Sequence, residues 1–496
     1  MKKRTRLWAL LLACSLLFQV SHNVYAADAE PIDTTVCPEH VENPEQRAYD
    51  MTVDSNTWKN WPEGPKTHGE AGIVMDVETG AILYAKNIDG KAYPASITKV
   101  ATLLIALENG KLDDKVMISE DAVYSVKPGY AHIALKPGEE LTLKDTLYAV
   151  MLASANDAAY AVAENVGESY EWFIDEMNRR TKELGGRDTH FNNTNGMEDE
   201  NHYTSARDMA LITRELLLHH PEFEEICQTY QYTISTTNVT NEPRTFQQKH
   251  RMFRKTNKHY YENVIAGKTG YTDAAKNTLI SCAEKDGRKL VCVVLKTHGS
   301  NVYEDSEALL EYGFNSFKKA AVDTAGIKND IKSIKSDAYM IVPEGIQEDS
   351  ITKKIVQDKD NARKGNLVYE YDGHELGNTE VELSEKYMKE HSPKPLGRDD
   401  SYDAEEEKIN KEIPLWAKTV MVALLILIIV FMVWILIALH VRKKRIERRR
   451  RIQEKHRREM LRQRHLNDRD MQRNVDSYNR RNDADRRNNR RPRKRT

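Results

Sequence analysis

The first feature that could do chemistry is a serine and a lysine three residues apart, Ser96 and Lys99, in the stretch PASITK. The sequence before it is strand-like and the sequence after it has helical periodicity, which places both side chains on one helix face, one turn apart. A serine hydroxyl is a poor nucleophile without an adjacent base. A lysine can be that base only where burial or neighbouring positive charge keeps it neutral. The pair predicts a nucleophile and its base, although a capping serine beside a surface lysine would give the same pattern.

Two further triplets carry polar groups that such a nucleophile would use. A Ser-Ala-Asn triplet begins at Ser154, at a turn after a predicted helix, and supplies a hydroxyl that can pass a proton and an amide, Asn156, that can hold a substrate amide. A Lys-Thr-Gly triplet begins at Lys268, at the end of a predicted strand. It offers a positive charge, a hydroxyl and a glycine that lets a ligand approach the backbone. Each triplet alone fits a helix cap or a strand end equally well.

The three motifs together are specific. They occur in the order Ser-x-x-Lys, Ser-x-Asn, Lys-Thr-Gly with gaps of roughly 60 and 110 residues, and this set resembles the penicillin-binding proteins and class A β-lactamases. Longer stretches are similar to the serine D-alanyl-D-alanine carboxypeptidases, the low-molecular-mass penicillin-binding proteins: LASANDAAYAVAENVG from Leu152, FNNTNGMEDENHYTSARDMA from Phe191 and GKTGYTDAAKNTLISCA from Gly267. The resemblance covers roughly residues 68–318, and KGNLVYEYDGHELGNTEVEL from Lys364 resembles the family's C-terminal β domain.

The resemblance implies a set of catalytic roles. Ser96 attacks the carbonyl of the penultimate D-alanine of a peptidoglycan stem peptide, and Lys99 takes its proton. Ser154 relays protons, and the backbone amides of Ser96 and Tyr271 form the oxyanion hole. The terminal D-alanine leaves, water hydrolyses the acyl-enzyme, and β-lactams acylate the same serine.

The resemblance also implies a set of substrate-binding residues. Asn156 orients the peptide, whereas Lys268 and Thr269 bind the terminal carboxylate. Gly270 and Tyr271 complete this binding group beside the nucleophile.

The chain departs from the family pattern at two places. Ala275-Lys276 stands where the family often has Ala-Gly, and Val302-Tyr303 stands where some members carry an arginine. An arginine there that assisted carboxylate binding would make substrate preference differ in this chain.

The order of predicted elements indicates the fold class. Strands are expected first, then many helices, then strands and a final helix, which fits an α/β (α+β) domain better than alternating βαβ units. We therefore predict a serine β-lactamase/DD-peptidase-like catalytic domain at 66–320, with an antiparallel sheet built from both ends and a helical insert between. A small β-rich domain is predicted at 335–395.

The remaining segments carry targeting signals. They are predicted to be a signal peptide at 1–26, a polar and irregular leader at 27–65, an acidic linker at 396–414, a transmembrane helix at 415–440 and a basic tail at 441–496. After Val441 there are 24 Lys and Arg against 8 Asp and Glu. This bias predicts a single-pass cell-membrane protein with a cytoplasmic tail and an extracellular catalytic domain.

No cofactor or metal is predicted, since the proposed chemistry needs none and the 16 histidines are scattered without a His-Glu-x-x-His motif. A turn at Asp286-Gly287 is expected to place Cys282 and Cys292 on opposite faces of a hairpin, unbonded. The basic tail could lie near anionic lipid, and nucleic acid is not an expected partner.

Three alternatives stay open at this point. A β-lactamase would need a base for deacylation, and no Glu-x-x-Leu-Asn-type segment lies between Asn156 and Lys268. DD-endopeptidase or transpeptidase action would use the same acyl-enzyme. A non-catalytic membrane-bound penicillin sensor would be acylated without releasing D-alanine.

Overall fold

The computed structural model describes residues 43–358 and 361–391. Within them, two strands are followed by a mainly helical segment and then by a mainly β segment. The helices are α1 (Pro44–Asp50), α2 (Thr98–Asn109), α3 (Glu120–Tyr124), α4 (Leu143–Tyr148), α5 (Asn156–Asn165), α6 (Tyr170–Glu183), α7 (Ala206–His219), α8 (Glu222–Gln228), α9 (Asn301–Asn315) and α10 (Glu385–His391). The strands are β1 (Ala71–Asp76), β2 (Ile82–Lys86), β3 (Lys115–Met117), β4 (Glu140–Thr142), β5 (Gln231–Ile234), β6 (Arg244–Gln247), β7 (Val264–Thr272), β8 (Lys276–Lys285), β9 (Arg288–Thr297), β10 (Phe317–Ala321), β11 (Ile331–Ile334), β12 (Tyr339–Pro343), β13 (Thr352–Gln357), β14 (Lys364–Tyr371) and β15 (His374–Leu383).

A five-stranded antiparallel sheet in the order β2-β1-β9-β8-β7 forms the centre of the fold. Its two halves come from opposite ends of the predicted catalytic domain, with Val74 of β1 opposite Cys292 of β9. Successive side chains alternate between the faces, as the period of a strand requires. Val291 and Val293 belong to the core under the helical insert, whereas Leu290 and Cys292 belong to the core under α9. The predicted antiparallel sheet with a helical insert is confirmed.

Helix α2 is the buried centre of the insert. Every residue from Thr98 to Ala106 is buried, and α5, α6 and α7 pack around this helix. Helix α7 begins with a serine cap, in which the backbone N–H of Asp208 donates to Ser205 Oγ at 3.1 Å. Ser96 lies directly before α2, so this buried helix positions the predicted nucleophile.

A β-rich region follows α9 and begins earlier than residue 335. Strand β10 pairs with β12, which places Lys319 opposite Ile341, and β11-β15-β14-β13 form a four-stranded sheet. Buried side chains of these strands share one core with α9 and the outer face of the central sheet. The guanidinium of Arg288 donates to Phe317 O and Gly313 O, at 2.9 Å each, across this junction.

Part of the segment predicted as an irregular leader, 27–65, is folded against the body. That prediction is wrong for its described residues, because α1 and the chain after it bury Ala48 and Trp61. The fully buried ammonium of Lys86 donates to Ala48 O and Thr67 O, at 2.7 Å each. Backbone carbonyls that cap a buried lysine thus fix the N-terminal helix to the sheet.

The hairpin between β8 and β9 has the predicted two-residue turn. Asp286 and Gly287 have φ angles of +52° and +66°, as a type I′ turn requires. Cys282 lies opposite Val291, and Cys282 and Cys292 are both free and buried. The expectation that the two thiols stay unbonded is confirmed.

Among the described residues, no helix is both long and apolar enough to cross a bilayer. The predicted signal peptide, acidic linker, transmembrane helix at 415–440 and basic tail lie outside the described residues.

Candidate active site

Ser96 lies in a short 3-10 turn, Ala95–Ile97, directly before α2. Ala95 has a left-handed φ of +50°, a conformation that non-glycine residues seldom adopt and that turns the chain sharply. Lys99 belongs to the first turn of α2, and its Nζ donates to Ser96 Oγ at 3.1 Å. The structure therefore brings the predicted nucleophile and base together, with the serine just before the α-helix and not on it.

Lys99 is fully buried and has neutral partners. Its Nζ also donates to Asn156 Oδ1 and to Asn195 O, at 2.7 Å each. Burial, followed by the positive charges of Lys268 and Lys249, lowers the pKa of Lys99 well below its ordinary value. A neutral amine of this kind can take the proton of the serine hydroxyl.

The loop that carries Asn195 was not assigned a role from the sequence. It is tied to α2 by Thr102 Oγ1, which donates to Thr194 O at 2.6 Å. Gly196 has a φ of +84°, and a Cβ at this position would lie 1.7 Å from Ala95 O. Only a glycine lets this loop pack against the nucleophile turn. The stretch was visible as a family-like segment, but the use of a backbone carbonyl leaves no signature in side-chain type.

Ser154 sits at the end of a widened helix. The helix predicted before Ser154 is α-helical from Leu143 to Tyr148 and continues as a π-helical turn, Ala149–Ala153. Ser154 then adopts left-handed angles, φ +58° and ψ +35°. This conformation aims its hydroxyl at Lys268, whose Nζ donates to Ser154 Oγ at 3.0 Å. Wide turns of this type are often found at functional sites.

Asn156 opens α5 and faces the base. Its backbone N–H donates to Ala131 O at 2.9 Å, and its Oδ1 accepts from Lys99 Nζ. The carbonyl oxygen of the side chain therefore holds the lysine, whereas the amide N–H groups are the donors that it can offer to a peptide.

The Lys-Thr-Gly motif lies inside β7, the edge strand of the central sheet, and does not end it as predicted. A Cβ on Gly270 would lie 3.0 Å from the backbone nitrogen of Ser96 and 2.3 Å from Thr278 Oγ1. Glycine thus allows the strand to approach the nucleophile. Thr269 is half-buried, and Tyr271 is exposed at the rim with its hydroxyl donating to Asp273.

Lys268 is the second buried lysine of the site. Besides Ser154, its Nζ contacts Thr269 O at 2.7 Å. Burial, and next the charge of Lys249, lowers the pKa of Lys268 to about 7, while Cys227 acts in the opposite direction. Near neutral pH this ammonium can therefore give up a proton as well as bind an anion.

Comparison with known proteins agrees with this geometry. The profile of the family described as D-alanyl-D-alanine carboxypeptidase matches residues 59–299. The D-alanyl-D-alanine carboxypeptidase DacF of Bacillus subtilis is 31% identical over 349 residues, which cover 64% of this chain and 86% of that protein. The chain belongs to the D-alanyl-D-alanine carboxypeptidase family. A Streptomyces family member is 30% identical over 264 residues, covering 50% of this chain and 88% of that one.

The fold of the family is recognisable at a lower level of identity. The crystal structure of D-alanyl-D-alanine carboxypeptidase DacD from Francisella tularensis superposes with a TM-score of 0.52 at 24% identity, and it covers 65% of this chain and 94% of the other. This likeness concerns the fold alone.

The two departures from the family pattern have different structural consequences. Lys276 starts β8 with a φ of +54°, in the region where glycine is favoured. This backbone conformation explains why the family often has a glycine at this position. Val302 is buried in the first turn of α9 and packs into the core. It carries no charge toward the site.

Lys249 is a site residue that sequence reasoning missed. Its Nζ donates to Ala153 O at 2.5 Å, directly before Ser154. It follows strand β6 and belongs to none of the three motifs, so no sequence spacing points to it. Only its proximity to the motifs in the folded structure identifies it.

Proposed function

We propose that this protein is a serine D-alanyl-D-alanine carboxypeptidase that removes the terminal D-alanine of peptidoglycan stem pentapeptides through an acyl-enzyme on Ser96. β-Lactams acylate the same serine. The observation that carries this proposal is the 3.1 Å contact between Ser96 Oγ and the buried amine of Lys99. Membership of the carboxypeptidase family supports the substrate class.

The acylation step uses the two lysine–serine pairs in opposite directions. Ser96 Oγ attacks the carbonyl carbon of the penultimate D-alanine while its proton passes to the neutral amine of Lys99. The carbon–nitrogen bond of the intermediate then breaks, and the departing amine takes a proton through Ser154 Oγ from Lys268, which contacts that oxygen. Transfer of the proton gained by Lys99 to Lys268 then returns both amines to their starting states. Water attacks the resulting ester and one of its protons passes to Lys99, which gives it to Ser96 Oγ as the carbon–oxygen bond breaks.

Backbone groups stabilise the negative charge of the intermediate. The N–H of Ser96 faces the edge of β7 where Gly270 lacks a side chain, and the N–H of Tyr271 on that strand is the second donor that the family pattern implies. Oriented donors of this type lower the barrier most where water is excluded. A larger residue at Gly270 would close this space.

The test measures D-alanine release from a pentapeptide ending in D-alanyl-D-alanine, together with fluorescent penicillin labelling, on the full-length chain. Both signals should vanish in Ser96→Ala and persist in Ser125→Ala, an exposed control. Labelling without release would overturn the carboxypeptidase in favour of a penicillin sensor or another peptide bond. Transfer to an added amine, or turnover of the penicillin itself, would indicate a transpeptidase or a β-lactamase.

We infer, on the sequence alone, that the catalytic unit acts outside the cytoplasmic membrane and is held there by a helix at 415–440. The supports are the signal-like N-terminus and the basic residues that follow the apolar run. The full-length chain should stay in membranes after a carbonate wash, whereas a chain ending at Pro414 should be soluble. Retention of the shortened chain in washed membranes would contradict the anchor.

A further inference from the structure

Lys249 stands on a rigid support beside the reacting groups. Its two neighbours are buried: Gln248 Nε2 donates to Cys227 O at 2.7 Å, and the His250 backbone N–H donates to Gln248 Oε1 at 3.0 Å. Lys249 itself is exposed as a residue, but its ammonium makes a partly buried hydrogen bond to Ala153 O. The side chain thus reaches from the end of the β5–β6 ribbon to the turn that precedes Ser154.

This contact acts on a strained point of the backbone. Ser154 is left-handed although it has a side chain, a conformation that persists only where its surroundings hold it. A charged donor on the carbonyl of the preceding residue is a strong hydrogen bond. Lys249 therefore helps to hold the hydroxyl of Ser154 where Lys268 Nζ meets it at 3.0 Å.

The same ammonium adds charge to a site that is already positive. The titratable groups around Lys99 and Lys268 are Lys249, Asp157, Cys227 and two histidines. Burial lowers the pKa of His202 to about 3 and that of His250 to about 4, so both are neutral at pH 7. Asp157 accepts hydrogen bonds from the backbone N–H groups of Ile133 and Leu135. Lys249 has no carboxylate among its described partners.

We propose that Lys249 is a positioning residue of the acyl-transfer site, which fixes the Ser154 turn through the Ala153 carbonyl and supplies a third positive charge beside the two lysine–serine pairs. The proposal rests on the function proposed above. The pKa values of the base in one pair and of the acid in the other are then influenced by a residue that belongs to neither pair.

The test compares Lys249→Met, which loses the donor and the charge, Lys249→Gln, which keeps an N–H donor without charge, and Lys249→Arg, which keeps both. The pH dependence of kcat/KM for D-alanine release is measured on full-length protein, with Lys255→Met, an exposed lysine of the same segment, as control. Both limbs should move to higher pH by about one pH unit in the Met and Gln variants, since the loss of a like charge favours protonated Lys99 and Lys268. On the acid limb this is a loss of about tenfold.

Arg and the control should keep the profile of the unchanged protein. Limbs that stay in place in both neutral variants, whatever the height of the profile, would overturn the proposal. If Lys249→Met does not fold, as its melting temperature shows, Lys249→Gln decides the question. Absence of D-alanine release from the unchanged protein would instead refute the proposed function, and the pH dependence of penicillin acylation would then decide the role of Lys249.

Discussion

Lys268 Nζ lies 3.0 Å from Ser154 Oγ, and this contact repeats the 3.1 Å contact between Lys99 Nζ and Ser96 Oγ. In the proposed mechanism the two buried amines must work in different protonation states, because one accepts the proton of the nucleophile and the other gives a proton to the leaving amine. Mutual repulsion inside the site helps to separate them: the charge of Lys268 lowers the pKa of Lys99.

The activity should follow a bell-shaped pH profile. kcat/KM rises as Lys99 loses its proton and falls as Lys268, with a pKa of about 7, loses its own. In Lys268→Arg the descending limb should disappear and kcat/KM should fall by about 100-fold or more at all pH values, since a guanidinium keeps its proton and cannot pass it to the leaving amine. The measurement is D-alanine release from pH 4 to 10. A fall above pH 7 that persists in Lys268→Arg would contradict the assignment.

Asn156→Asp should impair acylation. The new carboxylate would lie at the position of Oδ1, 2.7 Å from Lys99 Nζ, and would raise the pKa of Lys99 by about one to three pH units. Penicillin acylation at pH 7 should fall at least about tenfold and recover as the pH rises.

Two comparisons isolate the effect of charge at Asn156. Asn156→Ala should slow acylation without moving the rising limb, because it removes the hydrogen bond and adds no charge. Asn165→Asp, at the other end of the same helix, should leave the rate unchanged. A similar loss at all pH values in Asn156→Asp would refute the electrostatic cause.

Lys276→Gly should stabilise the protein. Lys276 has a φ of +54°, and a side chain in this region costs about 1–2 kcal/mol, part of which is offset because glycine is freer in the unfolded chain. We expect a gain of about 0.5–1 kcal/mol in the free energy of unfolding by chemical denaturation. Lys318→Gly, in a strand position without positive φ, should lose a similar amount. Destabilisation by both changes would show that the angle at Lys276 is not strained.

Arg288→Met should strongly destabilise the protein. The change removes two hydrogen bonds to backbone carbonyls and leaves Asp76 Oδ2, 3.5 Å from Arg288 Nε, as an uncompensated buried charge. Removing one partner of such a pair costs about 3–5 kcal/mol. Adding Asp76→Asn should recover part of the loss. A cost below about 1 kcal/mol in the single variant would mean that the pair is not energetically coupled.

The sequence was informative where residue type and period determine structure. The order of strands, helices and strands predicted a sheet built from both ends of the domain, and the Asp286-Gly287 pair predicted its turn, because few residues adopt positive φ. Ser96, Lys99, Ser154 and Lys268 could be predicted as site residues because the chemistry proposed for them needs particular functional groups, and the structure brings them together in two pairs.

Features that depend on which distant segments meet in the folded protein were not predictable from residue type and spacing. The carbonyl of Asn195 is available from any residue type, and the π-helical turn before Ser154 has no periodic signal. Lys249 lacks a fixed spacing to the motifs, and Ala48 is buried where Lys86, from a distant strand, donates to its carbonyl. These positions are decided by packing, which a local pattern does not record.

The pairing of β1 with β9 also determines when the protein can fold. Val74 has to meet Cys292, more than 200 residues later in the chain, so the central sheet cannot close while the insert is being synthesised. At 5–20 residues per second, roughly 10–40 s pass between the appearance of the two strands. Contacts of such long sequence separation also close slowly. During this interval the apolar strand β1 can pair only with β2, and its other edge stays unpaired. This open edge is the state that a chaperone, or an export channel, would encounter.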